Sequence, residues 1–290
     1  MAVAHPVRSR SRRRRGAGQH LAASRLTYAL LVIVAVLSCF PIYWTIVAAS
    51  HPNSAMAQTS PPLLPGGELF SNIGKALDEV DMRRAIINSV IVASSISIAT
   101  CLLCTLAGFA FAKLAFRGRS LLLGVVIFTL MVPSQLGIVP LFMLTSRLGW
   151  GNDLKAVIFP TLVSAFGVFF MRQYLVRALP TELLEAAAID GATVMRTFRS
   201  VVLPIARPAM AVLGMLTFIT AWNDFFWPII VLSQSNPTVQ VALRGLGLGY
   251  VPDQAVIMAG ALVGTLPIIV VFVLLGRQIV GGIMQGAVKG

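Results

Sequence analysis

Charged side chains are scarce in this chain. They make up 11% of its 290 residues, where a soluble domain carries roughly 25%. Acidic groups are rarer still, with 10 Asp and Glu together. The deficit excludes a soluble protein. Histidine is nearly missing: His5, His20 and His51 all lie outside the long apolar runs, which leaves no cluster to bind a metal or relay protons. No G-x-x-x-x-G-K-[ST] loop occurs, and Gly245, Gly247 and Gly249 lack the strand and βαβ unit that a dinucleotide fingerprint requires. A nucleotide would therefore be handled by another chain. Of the three cysteines, Cys101 and Cys104 form a C-x-x-C in the middle of an apolar run with no third ligand nearby, so they are expected to pack rather than to bind zinc. With no nucleophile, base or ligand set assembled, a membrane-embedded enzyme is disfavoured.

What the chain has is hydrocarbon: 57% of its residues are apolar or aromatic. Residues 26–48, 85–112, 120–146 and 254–276 are runs without a charge, each reaching the roughly 20 residues that carry a helix across a bilayer. Residues 156–171 form a shorter run, and 208–233 is interrupted by Asp224. Helices satisfy their own backbone where water is absent, so the expected fold class is an all-α polytopic membrane protein with six transmembrane helices. Gly260 and Gly264 form a G-x-x-x-G in the last run and permit a close helix approach.

The basic residues test the count of six independently. With the N-terminus inside, the cytoplasmic segments hold 17 of the 23 Lys and Arg, including Arg8, Arg12 to Arg15, Lys113, Arg117, Arg172, Arg196 and Arg207. Lys75, Arg83, Arg84, Arg147, Lys155 and Arg244 remain outside. This bias follows the positive-inside rule and puts both termini in the cytoplasm. The Arg-rich start reads as a topology signal attracted to anionic lipid, in preference to a nucleic-acid tail. Residues 26–48 read as a retained span in preference to a cleaved signal, because 23 uncharged residues make a long apolar core. The domain organisation is a basic cytoplasmic tail at 1–25 followed by a six-span unit at 26–290, with a cytoplasmic loop at about 172–207.

That loop carries the clearest pattern. Pro180 and Thr181 offer a helix start with Thr181 as N-cap, and Glu182 suits the helix dipole. Ala186, Ala187 and Ala188 present a surface nearly free of side chains, Asp190 and Gly191 end the helix, and Thr193 opens a second short one. Elsewhere, Asn223, Asp224 and Trp227 are candidates to face a polar pathway, because an Asp exposed to lipid costs about 2.5–3.5 kcal/mol. A buried hydrogen bond that pins a helix explains Asp224 equally well. Gln135, beside Pro133, is a weaker candidate by the same logic.

Glu185-Ala186-Ala187, Gly191 four residues after Ala187, and Leu203-Pro204 twelve after the glycine together resemble the E-A-A motif of ATP-binding-cassette importer permeases, whose six-span fold is MetI-like. The resemblance implies a coupling helix, made here of Glu185, Ala186, Ala187, Asp190 and Gly191 with Leu203 and Pro204, that docks on an ATPase subunit. Trp222-Asn223-Asp224-Phe225-Phe226-Trp227-Pro228 and the closing Gly286 to Gly290 are similar to the second permease of maltose-type carbohydrate importers. The implied partners are a homologous first permease, two ATP-binding subunits, an extracytoplasmic solute-binding protein and the bilayer, with no nucleic acid. The chain itself would hold no cofactor, since ATP and Mg belong to the ATPases, and would not be an enzyme. The implied solute is a sugar or oligosaccharide, for which a disaccharide such as cellobiose is one choice. An ion-coupled secondary transporter is the competing class, but it needs intramembrane ionisable groups and paired interrupted halves, and Asp224 is the one acidic candidate in a run.

Overall fold

A computed structural model describes residues 24–248 and 250–287, with side chains up to Leu274. The Arg-rich tail expected at 1–25 falls, up to residue 23, outside the described residues, as do residues 288–290 of the closing segment. Among the described residues the regular structure is all helical. Residues 24–44 belong to one compact unit and the rest to a second.

Helix α1 is Arg25–Ala49, and its 25 residues rise roughly 37 Å, enough for the bilayer core. The side chains of residues 25–43 are largely exposed. The segment that follows belongs to the second unit and contains α2 (Asn53–Met56) and α3 (Leu69–Glu79). Asn72 ties it down, donating to the carbonyls of Ala49 (3.0 Å) and His51 (2.9 Å).

Helix α4 (Met82–Lys113) is the axis of the second unit. Asp81 caps it by accepting the Arg84 amide at 3.0 Å, which satisfies one of the orphan donors of a helix start. Three apolar clusters line up along it. Met82 and Ala85 pack with Trp222 and Val239 at its start, Val92 and Ile96 with Ala156 and Trp227 at its middle, and Phe109 and Ala112 with Leu175, Phe198 and Val202 at its end.

The third run is not a straight span. Helices α5 (Arg119–Thr129) and α6 (Ile138–Arg147) are separated by a 3-10 turn at Ser134–Gly137 and bent by 93°. The physical reason is Pro133, which lacks a backbone donor and disfavours helical dihedrals in the residue before it. Among the described residues, five helical stretches are long and apolar enough to cross a bilayer, and six if this bent pair is one span. The fourth stretch runs over Lys155–Ala178, longer than the 156–171 expected. It comprises α7 (Lys155–Ile158), a 3-10 turn and α8 (Ala165–Ala178). Asp153 starts it, held below the usual carboxylate range first by the Lys155 amide (2.9 Å).

Beyond the loop helix α9 (Thr181–Ile189) come α10 (Val194–Thr197), a π turn at Phe198–Val202 and α11 (Leu203–Trp222) without a break. The fifth span therefore covers Val194–Trp222 and not residues 208–233. It ends before Asp224, so the acidic residue does not interrupt a helix. Short helices α12 (Pro228–Val231) and α13 (Val239–Leu246) lead to α14 (Gln254–Ala287).

Close approaches explain the small residues. A Cβ on Gly108 would stand 2.8 Å from the Arg172 amide nitrogen, and one on Gly167 2.8 Å from Cys104 Sγ, so α4 and α8 touch backbone to backbone. Cys101 donates to the Met210 carbonyl on α11 and Cys104 to that of Ser164 beside α8; the C-x-x-C spans two interfaces as a packing pair. Gly260 and Gly264 face α13, where a Cβ would come within 2.8 Å of Leu246 and 2.6 Å of Val239.

Candidate functional site

The loop helix α9 begins differently from the expectation. Thr181 is its first helical residue, the N-cap is Pro180 in an extended conformation, and no side chain caps it. Proline needs no such partner for itself, since it has no amide hydrogen to satisfy. The other end is closed by backbone. Gly191 adopts φ +69°, its amide donates to Ala188 O (3.0 Å), and Ala192 donates to Ala187 O (2.9 Å). This is the left-handed helix stop that glycine permits and a side chain resists. A Cβ at Gly191 would meet nothing within 4 Å. Glycine is needed here for its conformation alone.

None of the residues of α9 is buried. Ile189 is 88% exposed and Leu183 43%, while Glu185, Ala186 and Asp190 are exposed beside them. A nine-residue helix with an uncovered apolar surface has little intrinsic stability. Its position is set by what flanks it: Leu175 and Leu179 before it, and Phe198 and Val202 after it, all lie in the cluster at the end of α4. Thr193 accepts the Arg196 amide at 3.3 Å and starts the next helix. That helix is not short, as the spacing suggested, because it continues as the fifth span. Leu203 and Pro204 consequently sit in the root of that span, beyond the π turn, and not beside Glu185. Pro204 has no N–H to give, and the ladder shifts to an i→i+5 bond from Leu203 N to Phe198 O just before it.

The second feature is a cavity of about 960 Å³. It is walled by α4 (Ile96, Thr100), the segment around Thr161 and Ser164, α8 (Phe166), α11 (Leu213, Leu216, Thr217, Thr220) and the turn after α11. The stretch Trp222–Trp227 divides between core and cavity. Trp222 is buried, stacks on Phe218 with ring centroids 5.7 Å apart, and donates Nε1–H to Gly264 O at 3.1 Å. Trp227 is also buried and donates to Ala156 O at 2.8 Å. Between these two anchors, Asn223, Asp224, Phe225 and Phe226 line the cavity.

Two of the four pathway candidates thus meet in one place, Asn223 and Asp224. Trp227 does not line the cavity, because its ring completes the middle core cluster. Gln135 lies exposed on the 3-10 turn between α5 and α6, apart from the cavity wall. Asp224 lines the cavity and has the backbone amides of Phe226 and Trp227 near its carboxylate, at the turn that leads into α12. Sequence reasoning missed the hydroxyls Thr100, Thr161, Ser164, Thr217 and Thr220. A signal was present on α11, since Thr217, Thr220 and Asp224 follow i, i+3, i+7 spacing.

Comparison with known proteins extends the picture. The model of the family described as "Binding-protein-dependent transport system inner membrane component" matches residues 104–283. The lactose transport system permease protein LacG of Rhizobium radiobacter is 34% identical over 263 residues, covering 90% of this chain and 95% of the relative. The arabinooligosaccharides transport system permease protein AraQ of Halalkalibacterium halodurans is 31% identical, covering 89% and 93%. The sn-glycerol-3-phosphate transport system permease protein UgpE of Salmonella typhi is 32% identical, covering 89% and 95%. The fold matches one chain of a solved bacterial ABC transporter involved in the import of the acidic polysaccharide alginate, with a TM-score of 0.75, 22% identity, and 87% and 94% coverage. With more than half its length matched by the family model and curated relatives aligned over nine-tenths of it, this multi-pass membrane chain belongs to the family of binding-protein-dependent transport system inner membrane components.

Proposed function

We propose that the chain is one of two homologous permease subunits of an ATP-binding-cassette importer for a sugar or oligosaccharide. It works by alternating access, with two ATPase subunits on the cytoplasmic side and a solute-binding protein outside. ATP and Mg are bound by the ATPases, and the chain catalyses no reaction of its own. The observation that carries this is α9, an exposed helix stopped by Gly191 and followed directly by a span. A partner that grips it moves the fifth span with it, and only such differential contact with two states shifts an equilibrium. The names of the relatives, lactose, arabinooligosaccharide and sn-glycerol-3-phosphate permeases, support a hydroxylated solute. The distribution of Lys and Arg supports cytoplasmic termini with α9 on the same side.

The assembled complex in proteoliposomes is expected to take up sugar only with ATP inside, and to be indifferent to a protonophore. Uptake that survives ATP withdrawal and collapses with the proton gradient would reverse the assignment in favour of ion coupling. For orientation, a single cysteine at Ala188, exposed on α9, placed in a background lacking Cys39, Cys101 and Cys104, is expected to react with an impermeant maleimide only after cells are opened. Labelling in intact cells sinks the topology.

Asp224→Asn provides a third test. The amide has the same shape and keeps an acceptor oxygen beside the turn, so membrane abundance is expected within twofold of wild type while uptake falls about three- to tenfold through the altered wall. Asp224→Leu, which accepts nothing, is expected to lower abundance as well, because it removes the acceptor beside the Phe226 and Trp227 amides, where a buried donor left unpaired costs about 1–3 kcal/mol. Equal uptake by wild type and Asp224→Asn would leave Asp224 a structural pin only.

A further inference from the structure

The polar chemistry of the cavity says which solutes suit it, given the importer assignment proposed above. None of its sixteen lining residues is Lys, Arg or His. Thr100 gives its hydroxyl hydrogen to Leu162 O (3.1 Å), Thr161 to Val157 O (2.9 Å) and Thr220 to Leu216 O (2.8 Å). Thr161 and Thr220 keep accessible surface and can offer their oxygens to a solute as acceptors, whereas Thr100 is fully buried and offers none. Asn223 turns an amide hydrogen back to Ile219 O (2.8 Å), which leaves its carbonyl oxygen toward the space. Asp224 adds a carboxylate with roughly four lone-pair sites. The remaining donors are few: the hydroxyls of Ser164 and Thr217 and the second amide hydrogen of Asn223.

We infer that this cavity, through the acceptor-rich rim of Thr161, Thr220, Asn223 and Asp224, selects neutral hydroxyl-rich solutes and discriminates against anionic ones. A polyol brings the donors that the rim lacks. A phosphate or uronate brings more acceptors and a negative charge to a wall that holds one carboxylate, no cation, and mostly apolar surface of low dielectric, where like-charge repulsion is strong. Phe166, Phe225 and Phe226 are exposed along the same wall, and ring faces of this kind suit the C–H faces of a pyranose in an apolar, aromatic-lined pocket. Specificity of this type is a difference between two ligands and is built partly from repulsion.

The test uses the whole importer in proteoliposomes with its own solute-binding protein, so that selection by that protein is constant. The probe is a mixture of neutral oligosaccharides and the matched aldonic acids made by oxidising their reducing ends, with uptake read by mass spectrometry. Wild type is expected to take up the neutral member of a pair at least tenfold faster. Asn223→Lys, which places a cation on the rim, is expected to narrow that ratio at least fivefold; Asn223→Asp is expected to widen it at least twofold and serves if the lysine variant does not assemble. Acids entering as fast as their neutral partners, or a ratio unmoved by the variant that assembles, overturns the inference while leaving the permease assignment intact. Failure of both classes to enter, in a complex that hydrolyses ATP in response to the binding protein, overturns the sugar assignment and the inference with it.

Discussion

Gly191→Val is expected to cut solute uptake to below a tenth of wild type while leaving membrane abundance and complex assembly near normal. The two halves of that result have separate causes. Gly191 sits at φ +69° with open space where a Cβ would stand, so no neighbour is displaced and the core at Phe109, Leu175 and Phe198 is untouched. What changes is the backbone: a β-branched residue disfavours the left-handed region by about 1–2 kcal/mol. That is small against the folding of the whole chain, but large for the last turn of a nine-residue helix, which is closed by Gly191 N to Ala188 O and Ala192 N to Ala187 O together with Asp190 N to Ala186 O. Released from that stop, α9 re-aims, and the surface of Glu185, Ala186 and Asp190 is no longer presented as the proposed ATPase contact requires. Gly191→Asn is the control, because Asn tolerates the left-handed region, and uptake is expected to recover to more than half of wild type. Glu185→Lys reverses a charge on the same exposed face and is expected to lower binding-protein-stimulated ATPase activity together with uptake. Wild-type uptake in the double variant Gly191→Val with Glu185→Lys would remove the coupling role of α9.

Trp222→Ala acts on the opposite side of the ledger and is expected to destabilise the fold itself. Its ring is 1% exposed, stacks on Phe218, and sends Nε1–H to Gly264 O, which joins α11 to α14 beside the start of α4. Truncating a buried aromatic costs about 3–5 kcal/mol. A marked fall in the melting temperature of the detergent-solubilised chain and a loss of abundance are expected before any transport is measured. Trp222→Phe keeps most of the packing and loses the indole donor, so a loss of about 0.5–1.5 kcal/mol is expected. If Trp222→Ala melts within a degree or two of wild type, the anchoring role assigned to Trp222 is wrong.

These variants mark how far the sequence could be read. The pattern 185–191 was legible because each part of it is local: alanines leave a bare surface, and glycine is demanded by one residue's own φ. The spans were legible because hydrocarbon excludes charge, a one-dimensional constraint that survives without coordinates. Boundaries were less so. Pro133 was visible, yet its consequence, a 93° bend between α5 and α6, depends on whether neighbours hold the helix straight. The fifth span was displaced by about fourteen residues at its start, because an apolar run with three arginines looks like a loop until Phe198 and Val202 are seen to be buried.

By itself, then, the sequence determined that this protein is a bundle of membrane helices with a capped loop helix, since hydropathy, helix length and backbone conformation act along the chain. Only the tertiary structure decided which face each helix turns inward. Trp227 looks as suited to a polar pathway as Asn223 in the string Trp222–Trp227, but a neighbouring carbonyl at Ala156, 71 residues away in sequence, takes its indole hydrogen and draws the ring into the core. Thr100, Thr161 and Thr220 come from separate elements and carry no common spacing, and they share one wall only because α4 packs against both α8 and α11. Side-chain direction in a bundle is set by contacts between residues far apart in sequence, and such contacts leave no periodic mark on the chain.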